Sequence, residues 1–351
     1  MNTIASRIAS LPMTEVDCPP LPVPSFTPGG QTGRIMLAWH NFSKHMTNEG
    51  WQLQEGLREA GYELCGRHYP WELTSVPMIA TVHDPGTVVV QDKREWDSNK
   101  EGCFEKDAGF EDIGYLRSCP QVFRVAITKD AHQDWRYHKA HHEEIGAHAW
   151  ITYYHTDMVC HLAPWIRREH VVRTYHSLNS AEVPEFRTDR SGCLLSGALS
   201  EFFYPLRTRL ARQGLPDTTV LPHPGYNANG WQTPGFLRML SRYKVAICTS
   251  SIFGYALRKP IEATACGCVV ITDLPEDEVM PGIDGNFIRV SPDITTPEMA
   301  SLVIRAIHGY DPERQADYAE RSIRYYDYRR LYGDLSMSIE NLRSNYVSGS
   351  A

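Results

Sequence analysis

Residues Tyr255 to Asp273 read YALRKPIEATACGCVVITD. Lys259 and Pro260 stand just ahead of a glutamate, Glu262, and small residues then lead into an apolar VVI run. Pro260 suits the first turn of a helix, where its missing N–H costs nothing. Lys259 adds a cation to a helix N-terminus whose free N–H groups already favour anions, so a diphosphate placed there would meet both. Glu262, one turn further in, is badly placed beside phosphate and well placed to accept hydrogen bonds from a ribose diol. An ordinary N-terminal capping interaction is the alternative for that carboxylate. Ala263, Ala265 and Gly267 keep the helix thin, so that it can lie close against a sheet.

Outward from this stretch the pattern is strand and helix in turn. KVAICTS ends in Ser250 and Ser251 immediately before it, at the strand end where open α/β sheets bind ligands. Upstream lie CLLSGA (193–198), a helical pattern near 204–213, and TTVLPH (218–223). The same rhythm fills the first half. IMLAW (35–39) precedes a helix bearing Met46, Leu53, Leu57 and Ala60, which Gly61 terminates. Strands follow at 62–65, TVVVQ (87–91), VFRVAIT (122–128) and 150–154. Such alternation implies parallel pairing with right-handed crossovers, and so two Rossmann-like halves joined near residues 180–190. Residues 312–346 are rich in Arg, Tyr, Leu and Glu and predict a helix. Residues 17–30 hold five prolines and two glycines, and the first thirty residues predict an extended arm. GGQTG (29–33) precedes the first strand, whereas a dinucleotide fingerprint must follow it, which disfavours a dehydrogenase.

At 351 residues, with 42% hydrophobic and 22% charged residues, the chain has the size of two globular domains. No apolar run approaches the roughly 20 residues of a membrane helix. With no basic cluster or cleavage pattern at the N-terminus, no signal peptide is expected, and a cytoplasmic protein is. Nine scattered cysteines fit a reducing compartment, and Cys266 and Cys268 read as buried small residues. A net charge of −7 argues against a general nucleic-acid coat, though RREHVVR (167–173) and RLARQ (209–213) leave a local basic groove open. His138, His141, His142, His148 and His155 crowd one segment without an H-E-x-x-H pattern. They read as a polar helix face, and no metal is expected.

KPIEATACGCVVITD resembles the donor-binding helix of GT-B glycosyltransferases, a Glu followed by an A-x-A-x-G-x-x-V-I run. LLSGA (194–198), YPLR (204–207), LPHPGY (221–226) and the Glu262 segment together resemble the CgeB-like, spore-maturation type. The DNA β-glucosyltransferase of T-even phages is a more distant likeness, with a basic residue where Lys259 stands. The resemblance covers residues 193–290 best. It implies an α/β, GT-B fold of two Rossmann-like domains facing across a cleft, with a C-terminal helix crossing back to the N-terminal domain. The expected organisation is an arm at 1–30, an acceptor domain at 31–184, a nucleotide-sugar domain at 185–315 and the returning helix at 316–351.

The resemblance also implies roles. Ser196 and Gly197 would present backbone N–H groups to phosphate, and Arg207 would neutralise the diphosphate leaving group. His223 would lie near the base or diphosphate, Tyr226 could stack, and Ser250, Ser251 and Tyr255 would line the pocket before the helix. No cofactor is expected beyond the nucleotide sugar itself, with a UDP-sugar as the expected donor. Retaining relatives carry a second Glu eight residues before the helix Glu; Gly254 stands there, which tilts the expectation toward inversion. An inverting transfer needs a general base. Asp130, after VFRVAIT, and His40, after IMLAW, are the candidates, with His132 and Asp134 in the Asp130 loop; Asp92, Arg94 and Glu95 are secondary. The expected reaction moves a sugar from a nucleoside-diphosphate sugar to a hydroxyl acceptor without a metal. Two alternatives stay open: a hydroxymethylated pyrimidine in DNA as the acceptor, and a non-catalytic nucleotide-sugar-binding protein.

Overall fold

The computed structural model describes residues 2–11, 19–27, 33–37, 49–65, 86–90, 113–133, 135–223 and 233–347. The chain divides into two compact units. The N-terminal unit comprises Thr14–Tyr175 and Arg329–Ala351; the C-terminal unit comprises Met1–Met13 and His176–Tyr328.

In the N-terminal unit, β1 (Arg34–Leu37), β2 (Glu63–Cys65), β3 (Thr87–Val90), β4 (Phe123–Thr128), β5 (Ala149–Thr152) and β6 (Val171–Arg173) form one parallel sheet. Their order is β2-β1-β3-β4-β5-β6. Every residue of β3, β4 and β5 is buried, as expected of parallel strands covered on both faces. Arg124 is the exception in chemistry, though not in burial. Its guanidinium donates to the carbonyls of Leu116 and Cys119 and, through Nε, of Gly146, each at 2.8 Å. Burial pushes its pKa down to about 10.

In the C-terminal unit, β7 (Cys193–Gly197), β8 (Thr218–Pro222), β9 (Val245–Ile247), β10 (Val269–Thr272) and β11 (Phe287–Arg289) form a second parallel sheet, ordered β11-β10-β9-β7-β8. Alternate residues of each strand face opposite layers. Leu195, Ile247 and Ile271 pack with Leu206 and Leu210 of the helix Pro205–Gln213 and with Met299 and Val303 of Thr296–His308. Leu194, Cys248 and Val270 pack with Leu237 and Leu240 of Thr233–Leu240 and with Ala263 of Arg258–Ala265. Cys266 and Cys268 belong to that second layer, and their thiols donate to the carbonyls of Leu237 and Leu240.

The helix Arg258–Ala265 ends in a Schellman motif. Gly267 has φ +81°, its N–H donates to Thr264, and the Cys268 N–H donates to Ala263. A Cβ on Gly267 would stand 2.5 Å from the Phe186 ring. Ala263 packs against the sheet, while the Ile261 carbonyl accepts from Ser322 of the helix Pro312–Tyr326. The small residues of this stretch therefore serve packing on two sides.

Several expectations need correction. The helix predicted over 312–346 is two helices, Pro312–Tyr326 and Tyr328–Val347. Between them Asp327 leaves the helical conformation (φ −56°, ψ 129°), bridges to Leu178 and accepts the Ser180 N–H. From Arg329 onward the chain belongs to the N-terminal unit, where Tyr332 meets Tyr153 hydroxyl to hydroxyl at 3.2 Å. Ile4–Ser10, within the segment expected as an extended arm, is helical. Thr3 and Ser6 form a capping box, Asp277 accepts the Ile4 N–H, and Arg7 pairs with Asp273. The histidines of the helix Trp135–Ile145 are not a polar face: His138, His141 and His142 are buried. His142 accepts from Trp165 Nε1 and bonds Thr128 Oγ1, both at 3.0 Å. Burial, then the neighbouring His141 and His138, hold it neutral.

Replacing Arg124 by Leu removes its three hydrogen bonds to backbone carbonyls and its contact with His148. The expected cost is about 3 kcal/mol or more in urea unfolding. A loss below about 1 kcal/mol would mean that the guanidinium is a passive filler.

Candidate functional site

In open parallel sheets, ligands bind at the carboxyl ends of the strands where the strand order reverses. In the C-terminal unit the order reverses between β7 and β9. β7 ends in Ser196 and Gly197, and β9 is followed by Cys248, Thr249, Ser250 and Ser251.

Two cations converge there. Lys259 Nζ donates to the Ser196 carbonyl at 3.0 Å. Arg207, fully buried, donates through Nε to Thr249 Oγ1 at 3.0 Å and through its Nη atoms to the carbonyls of Thr249 and Ala198. It lies 4.2 Å above the Tyr204 ring. Arg207 is therefore no solvated helix charge. Gly197, at φ +124°, lies directly beneath both: a Cβ there would collide with Lys259 Nζ and stand 2.7 Å from Arg207 Nη1. Neither cation makes an ion pair among the described residues. Burial first, and Arg207 beside it second, push Lys259 down to about 7. His223 completes the cluster. Its N–H donates to the Gly197 carbonyl, and burial, Lys259 and Arg207 hold its ring pKa below the ordinary value.

The helix Arg258–Ala265 starts beside this cluster with Leu257 as N-cap, no side-chain cap and no acidic residue in its first turn. Its N-terminal dipole is thus left to favour an anion. Glu262 is buried and pairs with Arg258 at 3.0 Å.

Ser250, Ser251 and Tyr255 are buried in the loop between β9 and the helix. The Ser250 N–H donates to Asp273 at 2.6 Å, its hydroxyl to the Ser251 carbonyl, and Ser251 Oγ accepts from Phe253. Tyr255 stacks on Phe253. These three residues shape the loop from within. Tyr226, His40, Asp134, Asp92, Arg94 and Glu95 lie outside the described residues.

Within the N-terminal unit, Asp130 follows β4 with φ +41°, in the left-handed region that Asp tolerates better than most residues. Its carbonyl accepts from Gln133, closing a turn that contains His132, and Tyr154 donates to its carboxylate at 3.0 Å. Among the described residues, no group of three or more His, Cys, Asp or Glu could hold a metal ion.

Thr249, Arg258 and Asp273 bond candidate residues directly, and motif reading missed them. Asp273 was legible as a carboxylate at a strand end, and Arg258 as an i,i+4 partner of Glu262. Thr249 carried no separate signal.

No family model matches the sequence, and neither does any curated protein. Solved structures do match. Anabaena HepE, in complex with UDP and glucose, aligns at TM-score 0.55 and 11% identity over 89% of this chain and 100% of its own. Sucrose-phosphate synthase from Thermosynechococcus elongatus aligns at TM-score 0.56 and 13% identity over 91% and 100%. The fold is GT-B. Two parallel Rossmann-like sheets, each with its own order reversal, account for the match. A glycosyltransferase from Rickettsia africae shares this GT-B likeness at TM-score 0.50 and 10% identity, over 90% of this chain and 99% of its own.

Lys259 makes stability depend on pH. Its folded pKa of about 7 lies below the ordinary 10.5, so between those values the unfolded chain binds more protons. Stability contributed at this residue therefore rises with pH across that window, and the cost of the buried charge is fully present below it. In urea titrations at pH 6.5 and 9.5, wild type is expected to gain on Lys259→Met at the higher pH. Parallel behaviour of the two proteins would place the Lys259 ammonium in solvent.

Proposed function

We propose that this protein is a glycosyltransferase that moves a sugar from a nucleoside-diphosphate sugar to a hydroxyl acceptor with inversion. One observation carries the reading: two neighbouring cations that make no ion pair among the described residues, at the strand-order reversal and beside an uncapped helix N-terminus. The diphosphate would lie across Gly197, with Arg207, Lys259 and the helix tip around it. Negative charge grows on the leaving diphosphate as the glycosidic bond breaks, so these groups bind the transition state more strongly than the ground state. They supply the charge that a metal supplies elsewhere, and the reaction is proposed to be metal-independent. Glu262 would accept from the ribose diol; a carboxylate has lone pairs enough for that and for Arg258. His223 would stand near the base or the diphosphate.

In the chemical step the acceptor oxygen attacks the anomeric carbon. The bond to the diphosphate oxygen breaks, its electron pair leaves with the diphosphate, and the hydroxyl proton passes to a base. Asp130, oriented by Tyr154, is the proposed base, with His40 the other candidate and His132 in a supporting role. Position 254 speaks for inversion. Gly254 has φ +69° and a Cβ there would stand 2.8 Å from Pro275, so the second glutamate of retaining relatives has no room. HepE's complexes with UDP and with UDP-glucose make uridine diphosphate the first donor nucleotide to test. The CgeB-like subtype is proposed on the motifs of residues 193–290.

Calorimetry with uridine diphosphate tests the anion site. Arg207→Met and Lys259→Met are each expected to weaken binding by about 10-fold or more, since each removes a charge-assisted contact. Because only protonated Lys259 attracts phosphate, wild-type affinity should fall as pH rises from 7 to 9, with proton uptake on binding, and Lys259→Met should abolish that dependence. Flat affinity across pH together with unaffected variants would sink the diphosphate assignment.

Single-turnover transfer tests the base. Asp130→Asn is expected to slow the chemical step by about 100-fold or more while leaving donor affinity unchanged. Should Asp130→Asn and His40→Ala both keep near-wild-type rates, neither residue is the base.

A further inference from the structure

Asp273 immediately follows β10, is buried, and lies beside the loop into which the neighbouring strand β9 leads. Its Oδ1 accepts the Ser250 N–H at 2.6 Å, and its Oδ2 pairs with Arg7 Nη2 at 3.0 Å. Ser250 is next in the chain to Thr249, whose hydroxyl and carbonyl both receive Arg207. A short run of bonds therefore leads from Arg7 to the residue that holds Arg207. The charge of Asp273 is also felt at Arg207 directly. Burial lowers the Arg207 pKa, while Tyr204, Cys248 and Asp273, in that order, raise it.

Arg7 comes from the other end of the sequence, 266 residues away, on the helix Ile4–Ser10. Its Nη2 also donates to the Asp273 carbonyl at 2.9 Å and reaches Ser250 Oγ at 3.4 Å. Both side chains of the pair are buried. The helix has other attachments to the same loop. Asn2 Nδ2 donates to the Asp273 carbonyl at 2.7 Å, the Asn2 carbonyl accepts the Glu276 N–H, and Asp277 accepts the Ile4 N–H at 2.8 Å. Docking of the helix is thus provided for apart from the ion pair.

The pair bears on the anion site through charge. A buried carboxylate exerts a strong field on its neighbours unless a cation sits against it. With Arg7 in contact, much of the Asp273 field is cancelled before it reaches Arg207. Without Arg7, the same carboxylate would work against an anion lying over Gly197, repelling it and offsetting the charge of Arg207.

We infer, on the diphosphate site proposed above, that Arg7 is a positioning residue for the donor. By pairing with Asp273 it keeps that carboxylate from neutralising Arg207, and so leaves the space over Gly197 attractive to an anion. Arg7 does not touch the donor; it acts through Asp273.

Calorimetry with uridine diphosphate on the full chain tests it. Arg7→Met is expected to weaken binding by about fivefold or more, the effect of one carboxylate charge freed in a protein interior. The double variant Arg7→Met/Asp273→Asn should bind more tightly than Arg7→Met, because the asparagine carbonyl still accepts the Ser250 N–H and the freed charge is gone. A helix-docking role alone predicts no such recovery, since the double variant lacks the ion pair just as completely. If Arg7→Met does not fold, Asp273→Asn alone decides: affinity at or above that of wild type supports the inference, and weaker affinity overturns it. Arg7→Met at wild-type affinity, or a double variant no tighter than Arg7→Met, also overturns it while leaving the diphosphate site standing. Should wild type itself not bind uridine diphosphate, the diphosphate assignment fails first, and the role of Arg7 falls with it.

Discussion

Arg207 and Lys259 converge over the backbone of Gly197, where not even a methyl group fits. Burial and mutual repulsion both act against holding two like charges this way, and the Lys259 pKa of about 7 records the strain. The fold compensates locally. Arg207 has three hydrogen bonds and the face of Tyr204, and Lys259 has the Ser196 carbonyl. Among the described residues neither makes an ion pair, and Glu262 and Asp273 only partly offset the charge of Lys259 and Arg207 from a distance. Two cations with their hydrogen bonds met and their charge only partly offset are the ground on which the diphosphate is proposed to lie here.

That constraint reaches outward. Gly197 must be glycine, for its positive φ and for the space above it. β7 must end there, and Thr249 must follow β9 to receive Arg207. Asp273, at the end of β10, ties down the neighbouring Ser250 N–H and is itself held by Arg7 from the N-terminal helix. The small-residue run in Arg258–Ala265 has a separate cause. Ala263 faces the sheet, Ile261 meets Ser322, and Gly267 closes the helix in a left-handed turn. Part of the motif that looks like ligand recognition is thus the packing of a helix buried on two sides.

The parallel strands were readable because burial on both faces makes them apolar runs, as in TVVV and FRVAIT. β6 and β11 were not, being three-residue edge strands that carry arginine and are only partly buried. Asp327 breaks a helix without proline or glycine, through a bridge to Leu178 far back in the chain, and no local pattern encodes that. The helix Ile4–Ser10 has a local start in the Thr3–Ser6 capping box, but Asp273 and Asp277, which hold it in place, lie more than 260 residues away. At the site, Lys259, Arg207 and Ser196–Gly197 were legible from a helix start and a strand end. Buried histidines were misread because a 3.6-residue period does not say which face of a helix is polar when the residue itself can be either.

The N-terminal unit applies the same topological rule with a different outcome for its candidates. Its order reverses between β1 and β3, so the rule directs attention to the residues after Leu37 and after Val90. His40 follows Leu37 by three residues, whereas Asp130 follows β4, one strand further along the sheet. Strand order alone therefore directs attention to the stretch after Leu37, in which His40 lies outside the described residues. Asp130 has the stronger case for taking a proton, because a base must be held as well as near. Its left-handed backbone, the turn closed at Gln133 and the hydrogen bond from Tyr154 fix the carboxylate before any acceptor arrives. Preorganisation is the ground on which Asp130 is the proposed base.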